Sequence, residues 1–169
     1  MRRIVSWLAM VVALSACDRT PPPEKTIVVP DYVRAHDIHH LMEVVVDPQA
    51  DVFWNSSGTI NDASGQHDLT PTTDEGWFAT QSAAATVAEM GNLLMTPQFA
   101  EGRGTDWNQF ARSLVEIGML AEKAAADRNP AAVLEVGDTM DKVCEACHQV
   151  YLPGAAQAQA QRAEGGKEQ

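Results

Sequence analysis

The sequence predicts an all-α domain built as an antiparallel four-helix bundle. Three observations lead there. Four segments carry apolar residues at three- and four-residue spacing, Pro- and Gly-containing stretches separate them, and no stretch sustains the alternation of apolar and polar residues that marks a half-buried strand. A helix with one apolar stripe must bury it, and four such helices with short connections do so most simply side by side. A composition of 45 % hydrophobic and 21 % charged residues suits one globular domain.

The first segment, from Asp31 to about Trp54, puts Ile38, Leu41, Met42 and Val45 on one stripe, and Pro48 predicts a kink or a split within it. The Gly-, Asn- and Thr-rich stretch 56–73 reads as the longest connection, with no sheet. Thr72 and Glu75 then have capping-box spacing ahead of Trp77, Thr80, Ala84, Val87, Gly91 and Leu94, and this helix ends near Met95 and Pro97. In the third helix Trp107, Phe110, Leu114, Ile117, Ala121 and Ala124 follow a 3-4-3-4-3 rhythm, with Asp106 or Thr105 as cap. The last helix, Ala131 to Tyr151, carries Val133, Val136, Met140, Val143 or Cys144, Cys147 and Tyr151 on its stripe. Asn129 caps it, Pro130 takes the first helical position, where a missing N–H costs nothing, and Pro153 and Gly154 stop it. The domain thus spans residues 31–153.

What precedes the domain is an address. Arg2 and Arg3 open a short apolar run, Ile4 to Leu14, broken only by Ser6 and closed by Ser15 and Ala16. This is the layout of an export signal, and the run is too short for a comfortable membrane span. Leu14-Ser15-Ala16-Cys17 resembles the bacterial lipobox, which implies a signal peptide at 1–16 and lipidation of Cys17 as the mature N-terminus. More than one acyl chain on Cys17 gives stable anchoring. Asp18 resembles the signal that retains some bacterial lipoproteins in the inner membrane, so the expected location is the periplasmic side of that membrane. Residues 17–30, with Pro21-Pro22-Pro23, read as an extended tether. Residues 154–169, rich in Ala, Gln, Gly and Glu, read as a low-complexity tail.

With Arg2 and Arg3 removed, 10 of the 12 basic residues remain against 23 acidic ones, a net charge of −13 instead of −11. That field repels phosphate backbones, which excludes nucleic-acid binding through a basic face and favours a basic protein partner.

The chemistry is concentrated in Cys144-Glu145-Ala146-Cys147-His148. Cys-x-x-Cys-His is the attachment sequence of c-type haem: both thiols add to vinyl groups and the imidazole ligates the iron. On a helix, residues three and four apart share a side, so Cys144, Cys147 and His148 face one ligand. Other readings of the thiols fit worse. A Cys144–Cys147 disulfide would strain a helical turn, a redox dithiol belongs at a helix N-terminus, and a zinc site lacks a fourth ligand.

A four-helix bundle with Cys-Glu-Ala-Cys-His-x-x-Tyr near the end of its last helix resembles the class II cytochromes c, the cytochrome c-prime family and its low-spin relatives. The resemblance implies one covalent haem c, with His148 as proximal iron ligand and a first-helix residue closing the opposite face. A methionine there implies six-coordinate iron and electron transport; a non-ligand implies five-coordinate iron that binds nitric oxide or carbon monoxide. The matching stretch is His39-His40-Leu41-Met42-Glu43. Met42, on the Ile38/Val45 stripe, is the expected distal ligand. His39 lies only ~60° away at ~100° per residue and is the rival. His36, His40 and, in its polar loop, His67 read as solvated. Met90, Met95, Met119 and Met140 read as core, and Trp54, Trp77 and Trp107 as packing. The family often carries a basic residue directly after the tyrosine; Leu152 stands there instead, which removes a charge that would tune the iron. The resemblance also allows pairing into homodimers through the first helices.

The expected function is therefore a lipid-anchored monohaem electron carrier that serves redox partner proteins and turns over no substrate. The alternatives are a five-coordinate gas-binding haem protein and a helical interaction lipoprotein without haem.

Overall fold

The computed structural model describes residues 32–152 and 154. The expected signal peptide, Cys17 and Asp18, the tether and all of the tail but Gly154 lie outside them, as does Pro153. The described chain is mostly helical, with one small two-stranded sheet.

The first helical run begins at α1 (Ile38–Leu41), where the Asp37 side chain caps the free backbone N–H of His40 at 2.9 Å. It continues through a π-helical segment (Met42–Val46) into α2 (Asp47–Trp54). The expected disturbance at Pro48 takes the form of this wider turn. Pro48 has no N–H to give to the preceding turn, and the ladder changes register just before it, with Asp47 N–H bonded to the carbonyl of Met42. The run ends at Asn55, and Ser56 Oγ donates to the Val52 carbonyl at 2.6 Å.

The connection that follows contains a hairpin, contrary to the expectation of no sheet. Strands β1 (Thr59–Asp62) and β2 (Gly65–Asp68) pair antiparallel, with Ile60 opposite His67. Every residue of both strands is exposed, so no apolar alternation announces them. The turn chemistry holds the register: the Asp62 carboxylate accepts from the Ser64 N–H at 2.7 Å and the Ser64 hydroxyl at 2.6 Å, and Gly65 takes a φ of +127°. His67 is solvated as expected, in a strand rather than a loop.

Helix α3 (Asp74–Leu94) is capped by Thr73, whose hydroxyl accepts from the Gly76 N–H at 3.1 Å, one residue later than the Thr72/Glu75 box predicts. A single turn, α4 (Pro97–Ala100), leads into a loop and then α5 (Trp107–Ala126). Asp106 occupies the N-cap position of α5 but makes no capping bond; its carboxylate is taken by Tyr151, as described below. Helix α6 (Pro130–Tyr151) begins as the sequence predicts, with Asn129 Oδ1 accepting from the Ala132 N–H at 3.2 Å.

Helix α3 lies along α5, α5 along α6, and α2 touches both α3 and α6. Small residues bring α3 and α5 close together at Gly91 against Ala111 and at Gly118 against Ala88. Phe53, Met140, Val87 and Val133 are fully buried at the centre. Met119 is 60 % exposed, so it is a surface residue and not the core methionine expected of it; its position falls on the outer side of the α5 stripe. Trp77 and Trp107 are buried, and half-buried Trp54 donates its Nε1–H to the Gly137 carbonyl at 3.0 Å.

Candidate functional site

The i, i+3, i+4 spacing on α6 brings Cys144, Cys147 and His148 to one wall of a cavity of about 270 Å³. All three are half-buried, and both thiols are free. The facing wall is formed by Met42 and Val46 of the π-helical segment with Asp47, Ala50 and Trp54 of α2. Leu94 of α3 and Trp107, Phe110, Ala111 and Leu114 of α5 complete an apolar lining. A second cavity of about 510 Å³ shares Met42, Asp47, Trp107, Cys147 and His148 with the first and extends past His39, Arg103, Tyr151 and Leu152.

Met42 and His39 are thus distinguished by position. Met42 is half-buried, packs against the core and lines both cavities. His39 borders only the second; its side chain is 77 % exposed and its Nδ1 sits 3.8 Å from Glu43. His36 and His40 are exposed, with ring centroids 4.8 Å apart.

Burial pushes the Cys144 thiol up to about 11, and the carboxylates of Asp141 and Asp47 add to the effect. The Cys147 thiol is also raised by burial, against the opposing pull of the Arg103 guanidinium. Both therefore stay protonated at neutral pH, a poor state for a redox dithiol or a thiolate metal site. Among the described residues no group of three or more His, Cys, Asp or Glu side chains is arranged to hold a metal ion.

Three features of this end of the molecule are absent from the sequence reading. Arg103, in the loop before α5, stacks its guanidinium 4.0 Å from the centre of the Trp107 ring and 5.7 Å from that of Tyr151. It borders the second cavity beside Cys147 and His148. Tyr151 meets Trp107 edge to face at 4.9 Å and donates its hydroxyl to Asp106 at 2.6 Å. No helical periodicity points to Arg103: it lies in a loop, and Cys147, His148 and Tyr151, with which it borders the second cavity, are more than forty residues away along the chain.

No family model, curated protein or solved structure matches the chain. Among the described residues no helix is long and apolar enough to cross a membrane.

Proposed function

We propose that the chain is a lipid-anchored, periplasmic monohaem c-type cytochrome of the class II kind, an antiparallel four-helix bundle that moves single electrons without turning over a substrate. The observation that carries this reading is that Cys144, Cys147 and His148 on α6 share a cavity with Met42 of the first helical run. The sequence around Cys17 supplies the anchor in this reading, and the mutual contacts of α2, α3, α5 and α6 support the bundle.

The residues present fit a haem. Two protonated thiols without a disulfide and an imidazole stand on one wall, a thioether on the other, and the lining between is apolar. One imidazole and one thioether make no metal site unaided; a macrocycle that brings its own equatorial donors completes one. When bound, haem supplies a reversible one-electron centre. Cys144 and Cys147 would hold it, His148 and Met42 would supply donors to its iron, and a neutral thioether donor would raise the potential relative to a second imidazole. Trp107, Phe110 and Leu114 keep water from it. Asp47, Asp141 and Glu145 put negative charge at the cavity wall, suited to a basic redox partner.

The test is to secrete the chain with a soluble signal in a host that attaches haem and record spectra before and after denaturation. The reading expects haem that stays bound through denaturation, a thioether-to-iron charge-transfer band in the native ferric protein, and weak binding of carbon monoxide by the reduced form. Covalent haem with a high-spin spectrum moves the protein to gas binding. A folded protein without haem overturns both.

A further inference from the structure

The cavities contain one cation that the proposed function leaves without a role. Among their described lining residues Arg103 is the one lysine or arginine, and the carboxylates in the two linings are Glu43, Asp47, Asp141 and Glu145. A bare guanidinium beside an apolar cavity is costly unless something compensates it. Here the protein supplies little compensation. Among the described residues Arg103 is in no salt bridge, and its one side-chain hydrogen bond runs from Nε to the Phe99 carbonyl at 2.7 Å. The Asp106 carboxylate, three residues along the chain, accepts from the Tyr151 hydroxyl at 2.6 Å.

At the same time the side chain is held. The bond from Nε and the Trp107 ring 4.0 Å from the guanidinium carbon fix the plane of the group, leaving both Nη nitrogens without an acceptor among the described residues. An arginine so placed presents a fork of N–H donors that matches a carboxylate.

The geometry points to Arg103 as the group that binds a carboxylate of the haem, holding one propionate at the end of the cavity bordered by Cys147 and Tyr151. This inference rests on the haem reading above. It makes Arg103 a binding residue on the loop before α5, remote from the attachment motif. It also gives the cation a second effect, since a fixed positive charge near the iron favours the reduced state.

The haem-loaded protein tests this with Arg103→Gln, which removes the charge and keeps a polar side chain, and Arg103→Lys, which keeps the charge and loses the fork. Two readouts are independent of any electron-transfer activity: the propionate bending band in resonance Raman, and the pH dependence of the midpoint potential. The expected result is a shifted propionate band in both variants. In Arg103→Gln the potential should also become pH-dependent near neutrality, as the carboxylate acidity weakens about tenfold or more. Arg103→Lys should fall between. Unchanged bands and an unchanged pH profile in Arg103→Gln overturn the proposal and leave a packing role on Trp107. If Arg103→Gln fails to fold, the same two measurements on Arg103→Lys decide, a shifted band supporting the proposal and an unshifted one overturning it. Loss of covalent haem from the unmutated chain overturns the underlying reading instead, and denaturation-resistant haem in the same samples separates the two failures.

Discussion

The hydroxyl of Tyr151 donates a 2.6 Å hydrogen bond to the Asp106 carboxylate, tying the last turn of α6 to the residue before α5. His148 stands one turn back on α6, so this bond braces the end of the helix that carries the imidazole.

Removing it in Tyr151→Phe should lower stability, because a hydrogen bond to a charged acceptor is lost. Urea denaturation measures the loss. The Asp106 carboxylate also raises the Tyr151 phenol above its ordinary value, because ionising it would break the bond and set two negative charges side by side. Ultraviolet titration should find Tyr151 ionising above pH 10.0 in the parent and returning toward it in Asp106→Asn.

Met42 and His39 should separate cleanly under substitution. Met42 lines both cavities, whereas His39 is exposed at the border of one. In the haem-loaded protein, Met42→Ala should abolish the thioether-to-iron band, lower the potential and open the iron to carbon monoxide. His39→Ala should leave the spectrum unchanged. The reverse pattern would make His39 the ligand.

In the haem-free chain the Cys144 thiol should resist alkylation at neutral pH. Its reactivity should rise as pH approaches about 11, not 9.0, since burial favours the neutral form. The linkage follows the same sign. The folded state holds this proton more tightly than the unfolded one, so the contribution is intact below pH 9.0 and is lost as pH rises through about 11. Mass spectrometry of alkylated peptides against pH checks the first statement and urea titrations above neutrality the second.

The α3–α5 crossing should not tolerate a methyl group. A Cβ at Gly118 would lie 2.7 Å from Ala88 N and 2.8 Å from its Cα, both backbone atoms, so the helices would have to part. Alanine gains about 1 kcal/mol in helix propensity, while overpacking costs about 1–3 kcal/mol. Gly118→Ala should therefore lose up to about 2 kcal/mol net by urea denaturation. Met119→Ala, one residue away but 60 % exposed, should change stability by no more than about 0.5 kcal/mol.

The sequence by itself determined where the long helices run, because an apolar stripe and a cap are local signals. Asn129-Pro130 marks the start of α6 in both sequence and structure, and the common side of Cys144, Cys147 and His148 follows from helical spacing alone. It could not reveal the hairpin, whose exposed residues carry no burial pattern, whereas the exposure of Met119 was already implied by its place off the α5 stripe. The packing of the helices placed Met42 in the lining of the cavity that Cys144, Cys147 and His148 border, and His39 at the border of the second cavity only. It also decided that the Asp106 carboxylate accepts from Tyr151 instead of capping α5 and that Arg103 reaches the cavity. Those arrangements depend on contacts between residues distant in the chain, and neither periodicity nor motif spacing encodes a contact that only chain packing creates.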